Sequence, residues 1–166
     1  ADNMTDQFAA LAALANVNAA VCPQREQALA EFYDKWKDEA LVVDKWLVAQ
    51  STSRRPDTLA TVKALTEHPA FDAGNPNKIY ALIRAFGANL VRFNAADGSA
   101  YAFIADRILM LHDKNPQVAS RLARCFDRWK KFDAGRQAHA QAALERIRDH
   151  EGLSRDVLEV VTRALG

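Results

Sequence analysis

His150-Glu151-Gly152-Leu153-Ser154 is the nearest this chain comes to a metal-hydrolase signature, and it stops short of one. His-Glu-x-x-His binds zinc because two imidazoles one helical turn apart share a face, with the glutamate as general base. Here Ser154 stands where the second imidazole belongs, and Gly152 interrupts the helix that the spacing requires. The remaining histidines, His68, His112 and His139, form no i,i+4 pair with one another or with His150. Neither Cys22 nor Cys125 has a histidine beside it, and there is no glycine-rich phosphate loop or G-x-S-x-G elbow. The residues therefore predict no catalytic group and no metal site within this segment.

Gln117 and Arg121 form the most suggestive polar pair. They follow Asn115-Pro116, a helix-start signal in which asparagine caps and proline is preorganised for the first helical position. Spaced i,i+4, they share one face beside the unbonded N–H groups of the first turn. A cation near a helix N-terminus opposes the macrodipole, so Arg121 gains little locally there, which points to an external partner. A solvated arginine or an interhelical ion pair is the alternative. Phe86, Phe103, Phe126 and Trp129 fall at helical core spacing and read as core rather than as a stacking platform.

The elements that position this pair are helices. Period-2 alternation and hairpin dipeptides are nearly absent, so the chain reads as all-α. Helix signals run from Thr5 or Asp6 to about Val21, with the stripe Phe8, Leu11, Ala12 and Ala15. A second helix carries Ala28 to Trp36, a third Leu41 to Ala49, and a fourth is capped by Asp57 or Thr58 and stopped by Pro69. Ser51 to Pro56 reads as a polar loop. A fifth helix runs from Asn75-Pro76 to near Gly87, a sixth from about Asp97-Gly98 through Leu111, and a seventh from Asn115-Pro116 to Trp129. An eighth spans Asp133 to His150, and a ninth is capped by Ser154. Asn75-Pro76 recurs as Asn115-Pro116, and at the same offset Leu82, Arg84 and Phe86 match Leu122, Arg124 and Phe126. That offset falls in the period of roughly 40 to 47 residues of HEAT and armadillo helix pairs. The expectation is a superhelical array of about nine antiparallel helices, a HEAT/armadillo-like solenoid forming one domain over residues 1–166.

At 166 residues the chain can bury a sizeable core without a disulfide or metal, and 49% apolar with 26% charged residues is ordinary globular composition. A net charge of +1 predicts neither nucleic acid nor an anionic membrane as partner. Residues 114–148 nevertheless hold nine Lys or Arg against three Asp or Glu, while the stretch from Ala1 to Ala60 is net acidic. That asymmetry reads as a solvated face complementing the acidic half or an adjoining domain, with steering of an anionic partner as the other reading. No stretch approaches a membrane span, and the start has no signal-peptide pattern. Cys22 and Cys125 are expected to be reduced and mostly buried in a cytoplasmic protein.

Seven segments in order resemble one family. They are Tyr33-Asp34-Lys35-Trp36, Val42-Val43-Asp44-Lys45-Trp46, His68-Pro69-Ala70-Phe71, Asn75-Pro76-Asn77-Lys78, Asp97-Gly98-Ser99, Asn115-Pro116-Gln117 through Leu122, and Lys131-Phe132-Asp133. They are similar to the C-terminal helical domain of bacterial aminopeptidase N, a gluzincin zinc metallopeptidase family. The resemblance implies that this domain closes over the active site of a larger enzyme that removes N-terminal residues from peptides. The zinc ligands and catalytic residues would lie outside this segment, which alone would be inactive, and its partners would be the N-terminal and catalytic domains of the same polypeptide and a peptide substrate. By the same resemblance, Gln117 lines the pocket for the substrate's N-terminal side chain and Arg121 faces the chamber to meet peptide carbonyls or a carboxylate. A further chamber-facing arginine of some members falls at Tyr80. Read without the family, the segment is instead a free-standing HEAT-like peptide-binding or protein-binding scaffold.

Overall fold

The computed structural model describes residues 3–18 and 21–166, and among these every regular element is helical. Two compact units, Ala1–Arg92 and Phe93–Gly166, divide the chain.

In the first unit, α1 (Met4–Ala15) starts on Asn3, whose side chain accepts from the Asp6 N–H. It ends well before the expected Val21, and the expected passage of that helix through Ala19 and Ala20 lies outside the described residues. Leu11 and Ala15 are its buried stripe, and Phe8 and Ala12 are half-buried. Next come α2 (Gln24–Trp36), α3 (Ala40–Ser51) and α4 (Thr58–Leu65). Asp57 stands at the N-cap of α4 without capping it, because its carboxylate pairs with Arg55.

After Asn75-Pro76, a single helical path covers residues 76–88: α5 (Pro76–Ile79), a π-turn (Tyr80–Arg84) and α6 (Ala85–Ala88). The dihedrals stay right-handed helical through both junctions. This π-turn packs against α3, and Leu82 and Ile83 of the turn and Leu47 of α3 are all buried. α7 (Leu90–Phe93) is a short helix that the sequence did not announce.

The segment Ser51–Pro56, expected as a polar loop, is a turn whose alternate residues point inward, with Thr52, Arg54 and Pro56 exposed. Ser51, Ser53 and Arg55 are buried, and a buried backbone must find partners for its polar groups. Asn89 Nδ2 donates to the carbonyls of Ser51 at 3.1 Å and Ser53 at 2.8 Å. The Ser53 hydroxyl donates to Ala15 O at 2.8 Å, and Arg92 Nε donates to Arg54 O at 2.6 Å. Composition signalled polarity correctly. Burial came from groups distant in the chain that satisfy this backbone.

The second unit contains α8 (Ser99–Leu111), α9 (Pro116–Ala123), α10 (Ala134–Arg148) and α11 (Arg155–Leu165). Each of α8 and α11 packs against both α9 and α10, around Ile104, Ile108, Leu122, Leu144, Ile147, Val157 and Val161. Gly98 enters α8 with φ +72°, and a Cβ there would sit 2.5 Å from His139 Cγ, so both the backbone and the neighbour demand glycine. Asp97 Oδ1 accepts from the hydroxyl and the amide of Ser99, which hold its carboxyl below the usual range. Gly152, φ +75°, belongs to the turn after α10, although the helix itself closes at Arg148.

The seventh expected helix is cut short. α9 ends at Ala123 and tightens into 3₁₀ turns at Arg124–Phe126 and Trp129–Lys131. Over this stretch Phe126 enters the core, and Trp129 Nε1 turns to donate to Ala164 O at 2.9 Å. With the 76–88 path counted once, ten helices lie within the described residues, against the nine expected. Cys22 and Cys125 form no disulfide and are half-buried, less covered than expected.

Candidate functional site

The second Asn-Pro motif builds the candidate site as its chemistry dictates. Asn115 Oδ1 accepts from the Val118 N–H at 3.2 Å, Pro116 opens the helix, and Val118, Ala119, Leu122 and Ala123 are buried. The opposite face keeps Gln117 and Arg121 in solvent one turn apart. The Gln117 carbonyl accepts from the Ser120 hydroxyl at 2.9 Å, and its amide side chain makes no hydrogen bond among the described residues.

One part of the reading of Arg121 is corrected by the short helix. With α9 only eight residues long, Arg121 lies in its last turn, where a cation is favoured by the helix dipole rather than opposed by it. Local electrostatics therefore accounts for some of its placement. A role for Arg121 rests on its exposure beside Gln117 and not on a dipole mismatch.

Several cations of the basic stretch are engaged. Arg136 pairs with Asp133 at 2.6 Å, Arg146 with Asp106 at 2.8 Å and Arg148 with Asp149 at 2.6 Å, while Lys130 Nζ donates to Leu165 O. Lys114, Arg121, Arg124, Arg128 and Lys131 are exposed. Near Asp97 and Ser99, a shallow cleft of about 330 Å³ is lined by His139 and Arg146. Its acidic group is already engaged by Ser99.

The first Asn-Pro helix differs from its repeat in a way spacing did not reveal. Its exposed side comprises Asn77, half-buried Tyr80 and Arg84, and the Arg84 guanidinium lies over the Tyr80 ring, 5.6 Å from its centroid. An aromatic and an arginine at i,i+4 spacing was the available signal, but a π-turn is invisible to a helical period. At the matching second-copy positions, Ser120 offers no ring to exposed Arg124.

His68, His112 and His150 make structural contacts. His68 Nδ1 accepts from the Ala70 N–H at 3.0 Å, with its ring against Tyr33 and Trp46 at 4.7 and 5.2 Å. Burial lowers its pKa below 6.5. A lowered folded-state value means that the unfolded chain binds more protons, so stability is complete above the unfolded value and declines as pH falls through the folded one. Melting of the first unit is therefore expected at lower temperature at pH 5.5 than at pH 7.5, with a smaller difference in His68→Gln. An identical pH dependence in the two proteins would remove His68 as the cause. His112 and His150 stack edge to face at 5.0 Å, and His112 Nδ1 accepts from the Ser154 N–H. That bond engages the lone pair a metal would need. Among the described residues, no three His, Cys, Asp or Glu side chains are grouped to hold a metal ion. These residues therefore do not fit the zinc ion that the resemblance implies.

The family described as "Domain of unknown function (DUF3458_C) ARM repeats" matches residues 1–166. Aminopeptidase N of Escherichia coli (strain K12) is 46% identical over 166 residues, covering 99% of this chain and 19% of that protein. Aminopeptidase N of Caulobacter vibrioides is 40% identical over 167 residues, covering all of this chain and 19% of the relative. The matched stretch is the C-terminal region of these proteins, so the chain spans about a fifth of their length. Among solved structures, Legionella pneumophila aminopeptidase A in complex with aspartic acid superimposes with a TM-score of 0.91 at 35% identity, over 99% of this chain and 19% of that one.

Proposed function

This chain belongs to the DUF3458_C ARM-repeat family, and we propose that it is the non-catalytic C-terminal domain of a zinc-dependent aminopeptidase N. In this reading it covers the active site of the larger enzyme and lines the chamber that admits the peptide. The supporting observation is 46% identity across 99% of the chain to the C-terminal fifth of an aminopeptidase N. Zinc and the groups that cleave the peptide bond belong to other parts of the polypeptide, and no step of the chemistry is assigned to residues here. The work of this segment is selection: which N-terminal side chain fits, and how the rest of the peptide is held. A cytoplasmic location and the absence of nucleic-acid or membrane partners are part of the same proposal.

Gln117 and Arg121 divide that work by chemistry. The Gln117 amide supplies a donor and an acceptor for the first residue, whereas the planar Arg121 guanidinium suits carbonyls or a carboxylate further along. In the full-length enzyme, Gln117→Ala is expected to change the kcat/KM ratio between polar and apolar aminoacyl anilides by about fivefold, the scale of one neutral hydrogen bond. Bound zinc, measured by metal analysis, should stay constant. Unchanged ratios across the panel would remove Gln117 from the pocket. Arg121→Ala is expected to cost about tenfold in kcat/KM on tripeptides and longer, a charged hydrogen bond's scale, with little change on single-residue anilides. Equal losses on both would sink that assignment. The domain reading itself is tested by the full-length protein: chelator-sensitive release of N-terminal residues supports it, and a gene encoding only this segment would overturn it.

A further inference from the structure

We propose that the outer side of α1, with the groove beside it, seats an amphipathic helix of the same polypeptide that comes directly before Ala1. The inference rests on the aminopeptidase-domain reading above, and it carries the helical array upstream of the single domain expected over residues 1–166.

Sequence and packing converge on that side of the first unit. From Gln7 to Gln24 no side chain is charged, so beyond Asp6 the helix α1 lacks the charged face that a surface helix keeps toward water. Leu11 and Ala15 are buried, while Ala9, Ala10 and Ala13 are exposed. Beside them a groove of about 430 Å³ opens between α1 and α2, with Leu11, Leu14 and Phe32 in its apolar lining and Asp6, Glu31 and Lys35 among its polar residues. The last helix, α11, has the opposite pattern. Over buried Val157, Val160 and Val161 it exposes Arg155, Asp156, Glu159, Thr162 and Arg163 alongside Leu158.

Stacked helix pairs bury each repeat against its neighbours, and a terminal repeat needs a polar outer side to remain in water. By that rule α11 is built as an end and α1 is built as an interior helix. Position then selects the occupant. The matched relatives contain this chain as their C-terminal fifth, so in the domain reading the polypeptide continues ahead of Ala1. α1 begins at Met4, and Asp6 and Gln7 of its first turn already line the groove, so the preceding segment is tethered where the groove opens. A connection of a few residues, usual between antiparallel helices, holds such a helix at an effective concentration in the millimolar range, an advantage that a separate protein lacks. The occupant presents aliphatic side chains to Leu14 and Phe32 and turns its charges to solvent, past Glu31 and Lys35.

The test uses the full-length enzyme in two variants. In Ala10→Cys, maleimide labelling of the new thiol, read by peptide mass spectrometry, is expected to be at least about a hundredfold slower in the native enzyme than in urea, because it waits on local opening of the contact. In Glu31→Cys, a benzophenone attached at the edge of the groove should cross-link on irradiation to a peptide within about 40 residues upstream of Ala1, one repeat length. Labelling of Ala10→Cys at its unfolded rate would overturn the proposal. So would a cross-link that falls in a more distant part of the polypeptide, or one that joins two copies of the enzyme. Either of these failures in an enzyme with chelator-sensitive aminopeptidase activity removes this inference alone. Absence of that activity in the wild-type enzyme would instead defeat the domain reading and this inference together.

Discussion

Asp44→Ala is expected to lower the unfolding free energy of the first unit by about 3 kcal/mol, the scale of breaking a mostly buried ion pair from one side. Lys78 Nζ lies 2.6 Å from Asp44 Oδ1 and also donates to Ala40 O at 3.0 Å. The two side chains are 11% and 21% exposed, so neither charge is well hydrated. Removing Asp44 leaves the ammonium with one carbonyl and little water. Removing both charges with similar volume, as in Asp44→Leu with Lys78→Met, should recover most of the loss, because desolvation of the charges disappears along with their attraction. Urea denaturation read by tryptophan fluorescence reports the difference. A change under about 0.5 kcal/mol, the usual range for surface substitutions, would show that the pair behaves as a solvated one. The pair joins two motifs distant in sequence, Asp44-Lys45-Trp46 and Asn75-Pro76-Asn77-Lys78, and so sets where the helix bearing Tyr80 and Arg84 lies against α3.

Phe126→Ala is expected to cost more, about 4 kcal/mol in the second unit, as for other buried phenylalanines cut back to alanine. Its ring is 1% exposed and meets Phe93 edge to face at 5.3 Å and Tyr101 at 5.8 Å. The Tyr101 hydroxyl donates to Asn94 Oδ1 at 2.7 Å, which fixes one wall of the site. A cavity there cannot easily collapse, because two of its walls are rings packed against each other. Phe126→Leu should cost less than half as much. Loss of under about 1 kcal/mol in Phe126→Ala, by thermal or urea denaturation, would mean that the cluster repacks. Phe126 lies in the turn directly after α9, so the same variant should also blur the selectivity assigned to Gln117 and Arg121.

The two Asn-Pro helices show how far the pattern of residues reached. Leu82, Leu122 and Phe86 are fully buried, Phe126 nearly so, and Arg84 and Arg124 exposed, as the alignment of the two copies requires. Both asparagines cap: Asn75 accepts from the Asn77 N–H and Asn115 from that of Val118. Local rules sufficed because capping and amphipathic period involve residues within a turn or two of each other. The copies part where distant partners act. The first widens into a π-turn while packing against α3, and the second tightens into 3₁₀ turns while Phe126 enters its aromatic cluster. The change in length of α9 reversed the electrostatic reading of Arg121, although its identity and its face were correct.

By itself, then, the sequence determined the all-α class, most helix starts, the buried positions and the exposed pair Gln117 and Arg121, since these follow from propensity, caps and period. Only the tertiary structure decided that Ser51, Ser53 and Arg55 are buried and that Asp44 and Lys78 meet. Both join groups far apart along the chain. Contacts of that kind are selected by packing the whole unit, which no local window of residues contains.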